Sequence, residues 1–281
     1  MIKNKISVIM PNYNSYELFE DSIKSVINQT YDKFDLIIVD DGSTIKDVSE
    51  IYNKYSDYKN IKIIKQKNTG LPAARNKGIE HSDAEFVTFL DSDDKFDKNA
   101  LSEFINNYSN EDEFLYYGFN LFGEASKISY KNFNKFEQLF LNQLPYSIFI
   151  KRNSLLNIGK YDISFIDGFE DWELNVRLIA SNYTGILIEK PLFHYHFSSK
   201  GMLYGKSIFK YSQNFSKIKN KNKKIYNFWN VIKIYKESKV IKSSYNLNLY
   251  LLWYLFTMIF PNFIINFVYL KMFKLFSQSY K

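Results

Sequence analysis

Residues 86–94 read FVTFLDSDD, an apolar segment of strand length that stops in the carboxylates of Asp91, Asp93 and Asp94. In α/β proteins, polar groups that follow a buried strand lie at the carboxyl edge of the sheet, where ligands bind. Carboxylate oxygens are the ligands that Mg²⁺ and Mn²⁺ prefer. The run therefore predicts an acidic sheet edge that can hold a cation, although one Asp-x-Asp triplet is expected about once by chance in such a chain.

Strand-like and helix-like patterns alternate through the N-terminal part of the chain. The predicted strands cover residues 6–10, 35–39, 61–65 and 85–90, and the predicted helices cover about 14–29, 46–55 and 72–80. Asn14 and Ser15 are the predicted N-caps of the first helix. This alternation predicts an α/β fold with a mostly parallel central sheet, right-handed crossovers and flanking helices on both faces.

The pattern loosens after the acidic run, yet further elements are predicted. Strands are expected at residues 113–122, 147–150 and 185–188. A helical pattern at 168–182 opens with Glu170, Asp171 and Trp172. The sequence thus places a second acidic pair at the start of a helix.

The amino-acid composition limits the cellular compartment and the structural class that we expect for this protein. The 281 residues include no cysteine, which excludes a disulfide framework and a zinc–thiolate site and suits a reducing cytoplasm. We expect no signal peptide, because residues 1–5 lead directly into a strand-like segment. The length and the hydrophobic fraction of 46% are enough for one large α/β domain or for a domain with an appendage.

The net charge of +7 hides an asymmetry between the body of the chain and its tail. Residues 197–281 contain 15 Lys and one acidic residue, Glu237, whereas residues 1–196 carry a net charge of −7. The tail is also rich in aromatic and aliphatic residues, but its longest clean apolar run, 249–260, is shorter than the ~20 residues of a membrane-spanning helix. We therefore predict two short interfacial helices on an anionic membrane surface.

Two alternatives exist for the apolar tail, namely packing on the body of the protein and association into a homo-oligomer. If the tail is an anchor, deleting residues from about 245 onward should release the protein from membranes.

Five motifs follow one another along the chain: SVIMPNYN at 7–14, IIVDDGST at 37–44, NTGLPAARNKGI at 68–79, FLDSDD at 89–94 and GFEDWEL at 168–174. Together they resemble the family 2 glycosyltransferases, which have the Rossmann-like GT-A fold. The resemblance covers about residues 5–200. It implies an inverting transfer of a sugar from a nucleotide-diphosphate donor, usually a UDP-sugar, to an acceptor hydroxyl, with Mn²⁺ or Mg²⁺ as cofactor.

The resemblance also implies a division of the chain. A GT-A domain would occupy residues 1–200, with a nucleotide-binding half at about 1–95 and an acceptor half at about 96–200. The basic and apolar helical region, residues 201–281, would follow as the part that associates with the membrane.

Residues after the first strands are expected to bind the nucleotide. By the resemblance, Asp41 contacts uracil, and a carboxylate at this sheet edge can accept a hydrogen bond from a base N–H. An ordinary Asp-Gly-Ser turn is the alternative. The resemblance further implies that the nucleotide site includes Pro11, Asn12, Tyr13, Asn68 and Gly70.

Arg75 is one of only three arginines in a lysine-rich chain. A guanidinium offers planar, bidentate recognition that an ammonium cannot, so we expect Arg75 to contribute to the nucleotide-sugar site. The alternative is a solvated position on a helix face.

The acidic run supplies the predicted metal site. By the resemblance, Asp91 and Ser92 contact the ribose and the metal, and Asp93 is the principal metal ligand. His196 is a further candidate for metal or phosphate, although a histidine packed in the protein interior is equally expected. The cation would act as a Lewis acid on the leaving diphosphate.

Glu170 and Asp171 match an acidic pair of the family. Inversion needs one general base that takes the acceptor proton, and we predict Asp171 as that base, with Glu170 orienting the acceptor. A favourable interaction with the helix macrodipole is the alternative explanation for this pair. Trp172 could stack on a sugar or belong to the core.

Other functions fit less well. A dinucleotide dehydrogenase would need Gly-x-Gly-x-x-Gly after the first strand, where Pro11-Asn12-Tyr13-Asn14 stands. A non-catalytic scaffold or nucleic-acid binder that uses the basic tail is the remaining alternative, but no nucleic-acid partner is expected. We predict a peripheral enzyme on the cytoplasmic face of a bacterial membrane, with a saccharide or lipid-linked saccharide acceptor in capsule or lipopolysaccharide synthesis.

Overall fold

The computed structural model describes residues 1–198, 207–241, 243 and 246–277. Its strands are β1 (Ile2–Asn12), β2 (Phe34–Asp40), β3 (Ile61–Lys65), β4 (Ala84–Phe89), β5 (Lys95–Phe96), β6 (Glu113–Gly123), β7 (Lys127–Ser129), β8 (Phe149–Lys151) and β9 (Thr184–Phe197). Its helices are α1 (Phe19–Ile27), α2 (Lys46–Tyr55), α3 (Leu71–His81), α4 (Ala100–Asn107), α5 (Lys135–Gln138), α6 (Arg152–Asn157), α7 (Glu170–Ala180), α8 (Tyr211–Lys221), α9 (Phe228–Ser238), α10 (Leu247–Ile259) and α11 (Asn262–Ser277).

The strands form one mixed sheet in the order β3-β2-β1-β4-β8-β6-β9-β5, with β7 paired to β6. Strands β1 to β4 run parallel, whereas β8 is antiparallel to both β4 and β6. The predicted α/β class is confirmed. The first four strands of the chain form a parallel part of the sheet. The carboxyl ends of β1, β2 and β4 therefore meet at one sheet edge.

Most predicted elements are present with nearby bounds. The predicted ranges of α2 and β3 match the structure at both ends. Strand β9 is longer than predicted, because it continues from Thr184 to Phe197 and includes both His194 and His196.

The predicted start of the first helix is wrong. Helix α1 begins at Phe19, and no side chain caps it. Asn14 has a φ of 56°, a left-handed conformation that does not continue into a helix. Its Oδ1 instead accepts hydrogen bonds from the backbone N–H groups of Thr44, at 2.8 Å, and Ile45, at 3.2 Å. Asn14 therefore joins the loops that follow β1 and β2.

Alternate residues of β1 face opposite sides of the sheet. Ile6 and Val8 are buried in a core with residues of α1, α2 and α4, whereas Ile9 is buried in a second core on the other face. On that face α3 approaches β1 so closely that a Cβ on Gly78 would lie 2.4 Å from Ile9 Cγ2. The glycine thus lets α3 lie directly on the strand, and Arg75, one turn earlier, reaches the sheet edge.

The C-terminal helices contribute to this second core. Their buried members include Tyr211 and Phe215 of α8, Tyr250 and Tyr254 of α10, and Ile265 of α11. The inner faces of these helices therefore pack on the body of the protein. Across the described ranges, no helix has both the length and the continuous apolar character that crossing a membrane requires.

A buried hydrogen bond between α10 and α5 allows the contribution of the C-terminal helices to stability to be measured. The Tyr250 hydroxyl donates to Glu137 Oε1 at 2.7 Å, and both residues are buried. Tyr250→Phe removes this donor from a buried carboxylate, so we expect the free energy of unfolding to fall by about 1–3 kcal/mol in chemical denaturation. Tyr235→Phe is the matched control, because the Tyr235 hydroxyl bonds to Asn248 at an exposed position. No measurable loss in Tyr250→Phe would contradict an integral role for α10.

Candidate functional site

Loops and helix ends from distant parts of the chain meet at the carboxyl edge of the parallel strands. The acidic loop after β4, residues 91–94, lies between α3, the start of α7 and the end of β9. The contacts of Arg75 with Asp91 and Glu170, and of His196 with Asp94, establish this arrangement. The loops after β1, β2 and β3 border it.

Arg75 is the centre of the site and is only 1% exposed. Its Nη1 donates to Glu170 Oε1 at 2.6 Å, and its Nη2 donates to the two carboxylate oxygens of Asp91 at 2.8 and 3.1 Å. The guanidinium lies over the rings of Tyr146, at 4.8 Å, and Tyr161, at 5.4 Å. The helix-face alternative is therefore wrong, and the guanidinium binds two protein carboxylates, one through each terminal nitrogen.

Electrostatics explain why this buried cation is tolerated. Burial opposes the charge on Arg75, but the carboxylates of Asp91 and Glu170 outweigh it and raise the pKa of the guanidinium. Stacking on two aromatic rings adds cation–π attraction. The bridge therefore holds the acidic loop and the start of α7 at a fixed separation.

Tyr146 and Asp94 form a second connection that the sequence motifs did not reveal. The Tyr146 hydroxyl accepts a hydrogen bond from the backbone N–H of Asp91 at 2.7 Å and donates to Asp94 Oδ2. The backbone N–H of His196 donates to Asp94 Oδ1 at 2.6 Å. Burial, with Asp93 and Asp91 nearby, raises the pKa of Asp94 well above its usual range. Asp94 thus ties β9 to the acidic loop.

Asp93 and His196 face each other at the mouth of the acidic loop. Asp93 Oδ2 lies 3.4 Å from His196 Nδ1. Desolvation and the neighbouring Asp91 raise the pKa of Asp93, while His196 opposes this shift. Ser92 is buried, and its carbonyl accepts a hydrogen bond from the Ser22 hydroxyl at 3.0 Å.

The side chains of the acidic loop can be compared with the ligands that the predicted divalent cation would need. Among the described residues, no three His, Cys, Asp or Glu side chains gather as a metal-binding group. Mg²⁺ is commonly held by one or two carboxylates, with water and substrate phosphates completing its shell. Asp93 with His196 or Asp91 fits such a partial shell, which only a phosphate-bearing ligand would complete.

Asp41 organises the loop that leads into α3. Its Oδ1 accepts hydrogen bonds from the backbone N–H of Thr69, at 2.9 Å, and from Gln66 Nε2, at 2.8 Å. Its Oδ2 accepts from the backbone N–H of Gly70, at 2.8 Å, and Gly70 has a left-handed φ of 93°. Asp41 is buried, and these turn contacts fix the loop. Its Oδ2 accepts a single hydrogen bond and therefore keeps acceptor capacity for a ligand N–H.

The other predicted nucleotide residues lie around Asp41 with different exposures. Pro11 and Asn12 are buried, and Asn12 Nδ2 donates to the Tyr52 hydroxyl at 3.1 Å. Tyr13 is 52% exposed at the rim, and Asn68 is also exposed. Tyr13 and Asn68 are therefore available to a ligand, whereas Asn12 supports the loop from behind.

Glu170 and Asp171 begin α7 after two residues with left-handed backbone, Gly168 at φ 98° and Phe169 at φ 67°. Glu170 is buried and paired with Arg75. Burial raises the pKa of both carboxyls, and Arg75 opposes both shifts. Glu170 and Asp171 thus lie in the same helix turn but have different principal partners.

Asp171 is half-buried and is held by amide donors. Asn142 Nδ2 donates to its Oδ2 at 2.7 Å, and the backbone N–H of Trp172 donates to its Oδ1 at 2.8 Å. Asn142 is a site residue that sequence reasoning missed, because it belongs to no motif. Asp171 can therefore accept a proton while Arg75 keeps Glu170 engaged.

Trp172 belongs to the core. Its side chain is fully buried, its Nε1 donates to the Gln138 carbonyl at 2.7 Å, and its ring stacks with those of Tyr211 and Phe215, each at 5.7 Å. It supports α7 from behind and offers no surface to a sugar.

Comparisons with known proteins agree on one family. A model described as "Glycosyl transferase family 2" matches residues 7–167. Glycosyltransferase GlyA of Streptococcus pneumoniae serotype 4 is 31% identical over 69% of this chain and 31% of that protein. The putative teichuronic acid biosynthesis glycosyltransferase TuaG of Bacillus subtilis is 38% identical over 36% of this chain and 40% of that protein.

Solved structures show the same fold. The crystal structure of S. aureus TarS in complex with UDP-GlcNAc has a TM-score of 0.60 at 19% identity, covering 76% of this chain and 66% of that one. The GT-A fold predicted from the motifs is therefore confirmed. The chain spans less than half the length of GlyA and TuaG, and 14% to 16% of three relatives from Rickettsia.

Removing the buried guanidinium should destabilise the protein strongly. Arg75→Met leaves Asp91 and Glu170 without their cation, so we expect the free energy of unfolding to fall by about 3–5 kcal/mol. Arg152→Met is the control, because Arg152 is half-buried and donates to the Ile79 carbonyl. Combining Arg75→Met with Glu170→Gln should recover part of the loss in a double-mutant cycle. Additive losses would show that the bridge does not couple these residues.

Proposed function

Because the chain belongs to glycosyltransferase family 2, we propose that it transfers a sugar from a nucleotide-diphosphate donor, most simply a UDP-sugar, to a hydroxyl of an acceptor saccharide. The observation that carries this proposal is the Arg75 bridge between Asp91 and Glu170. It fixes an acidic loop suited to a diphosphate and its cation beside a helix that presents a second, separate carboxylate, Asp171.

The nucleotide would occupy the edge formed by the loops after β1, β2 and β3. In this proposal Asp41 accepts a hydrogen bond from the base, Tyr13 contributes a stacking face, and Asn68 and Gly70 line the approach of the ribose and diphosphate. TarS has been crystallised with UDP and with UDP-GlcNAc, which supports a uridine nucleotide as the first ligand class to test.

The diphosphate would lie over the acidic loop. Asp93, with His196 or Asp91, would hold Mn²⁺ or Mg²⁺ there, and the bound cation would supply neutralisation of the charge on the leaving diphosphate. Arg75 acts through Asp91, because its guanidinium donates to both carboxylate oxygens and orients them.

The transfer needs one proton acceptor. In the proposed step, the acceptor hydroxyl forms a bond to C1 of the sugar as the bond from C1 to the diphosphate oxygen breaks, which inverts the anomeric centre. The hydroxyl proton passes to Asp171, and the electron pair of the broken bond leaves with the nucleoside diphosphate. Asn142 orients Asp171, and Glu170, held by Arg75, lines the acceptor side.

We also propose where the reaction occurs. The acceptor is a saccharide or lipid-linked saccharide of a bacterial surface polysaccharide, a view supported by the similarity to TuaG. The strongly basic tail would recruit the enzyme to the cytoplasmic face of the membrane, because each Lys near an anionic surface contributes about 1 kcal/mol.

Asp171→Asn should separate binding from chemistry. The amide keeps the size of the side chain but cannot take the acceptor proton, so we expect kcat to fall by about 10²–10⁴-fold with donor affinity nearly unchanged. Turnover assays and donor titrations measure the two effects. Asp47→Asn, an exposed change in the first turn of α2, is the control. Full activity of Asp171→Asn would move the base assignment to Glu170.

The pH profile of kcat tests the same group. A base must be ionised to act, and burial raises the pKa of Asp171, so activity should be lost as pH falls through a value above the ~3.9 of an ordinary Asp. The Asn142 hydrogen bond favours the ionised form and lowers this pKa. Asn142→Leu should therefore move the acid limb to higher pH. An unshifted limb would exclude Asp171 as the titrating group.

Ligand screening tests the donor and the cation together. UDP-, GDP-, dTDP- and CMP-sugars, each with and without Mn²⁺, are compared by thermal shift and donor hydrolysis. We expect Mn²⁺-dependent stabilisation by a UDP-sugar, and Asp93→Asn should abolish the metal-dependent part because it removes the principal ligand. No response of the unsubstituted protein to any nucleotide would overturn the proposed activity.

A further inference from the structure

Helix α10 is apolar on both of its faces. Leu247, Tyr250 and Tyr254 are buried against the body. On the opposite face Leu249 is 59% exposed and Leu252 is 62% exposed. A helix that is hydrophobic all round is normally covered on all sides, and the described part of the chain leaves this outer face of α10 exposed.

The exposed apolar surface is most concentrated where α10 ends and α11 begins. We name this turn the apolar tip and define it as Met258, Ile259, Phe260 and Phe263, which are 58%, 75%, 40% and 74% exposed. Contiguous exposed apolar surface of this kind marks a site of interaction with a partner or a membrane.

Helix α8 places lysines beside the apolar tip. Ser216 Oγ donates to Asn262 Oδ1 at 2.9 Å, and Lys219 Nζ donates to Thr257 Oγ1 at 3.3 Å. Burial lowers the pKa of Lys219. No carboxylate within the described ranges forms an ion pair with Lys219, so a nearby anion would favour its charged form.

Positive charge predominates in the sequence of the helix beside the tip. Residues 217–224 carry five lysines, and residues 197–236 contain no acidic residue. Lys223 and Lys224 are exposed, whereas Lys221 pairs with Asp162. The tip is therefore an apolar projection bordered by cations, the arrangement that suits lipid chains below a layer of anionic headgroups.

We propose that the apolar tip inserts into the interface of an anionic bilayer, with Lys219, Lys223 and Lys224 on the headgroup phosphates. This inference rests on the proposed function, since it brings the site to a lipid-linked acceptor. A second copy of the chain fits less well, because a symmetric contact through the tip would bring two identical lysine runs together. A bilayer instead offers both the apolar interior and the opposite charge.

Deletion of the tail cannot test this surface, because α10 and α11 also contribute to the core. The test uses the full chain with the double substitution Ile259→Ser/Phe263→Ser. The control is Ile2→Ser/Ile128→Ser, because these two residues are 51% and 53% exposed and lie on strands distant in sequence from the tip. Flotation compares vesicles of pure phosphatidylcholine with vesicles that also contain phosphatidylglycerol. A second pair, Lys223→Gln/Lys224→Gln and Lys33→Gln/Lys46→Gln, tests the charge.

We expect the unsubstituted chain to bind the anionic vesicles and to lose binding as salt is raised. The Ile259→Ser/Phe263→Ser variant should bind at least about tenfold more weakly. The Lys223→Gln/Lys224→Gln variant should lose most of its preference for anionic lipid, and both control variants should bind as the unsubstituted chain does. Unchanged binding by the tip variant would overturn the proposal. So would a lipid-free dimer that the tip substitutions convert to a monomer, because that result assigns the surface to a second copy.

Donor hydrolysis in solution distinguishes the two proposals. A tip variant that hydrolyses donor normally but no longer floats supports the lipid surface. An unsubstituted chain that floats through the tip but responds to no nucleotide overturns the proposed transferase and leaves the docking surface standing.

Discussion

The buried guanidinium of Arg75 is the interaction on which the site depends. It joins two carboxylates whose residues are 16 and 95 positions away along the chain, and it does so with 1% of its surface exposed. A buried ion pair gives little net stability, because desolvation offsets most of the attraction. Its value here is geometric, since one planar group sets the distance between the acidic loop after β4 and the first turn of α7. The close contact of Gly78 with Ile9 fixes the position of α3, the helix that carries Arg75.

The acidic residues of the site differ because their partners differ. Asp91 and Glu170 share one cation, Asp94 is fixed by a tyrosine hydroxyl and a backbone amide, and Asp171 is held by amide groups alone. Asp93 faces a histidine at the rim. A single cluster of acids can therefore bind a cation in one place and accept a proton in another.

Local sequence was sufficient where local forces decide the structure. The bounds of α2 and β3 follow from periodicity, and the ordered motifs predicted the fold, which the TarS structures confirm. The error and the omission both concern side chains whose partners are far away. Asn14 resembles a helix cap but bonds to the next loop, and no motif indicated the bond of Asp94 to Tyr146, 52 positions later. Periodicity also could not show that the apolar tail has one face in the core and another in solvent.

The aromatic stack behind Trp172 has a consequence for the order of synthesis. Its partners lie in α8, and α8 is in turn covered by Tyr269 of α11. At about 5–20 residues per second, the parallel strands leave the ribosome several seconds before this support exists. Once α7 is made, and until α8 and α11 follow, Trp172 lacks the aromatic rings that it stacks on in the folded protein. Its side chain can then contact chaperones or other unfolded chains. The nascent chain thus completes the support of its acidic helix only when α8 and α11 are also made.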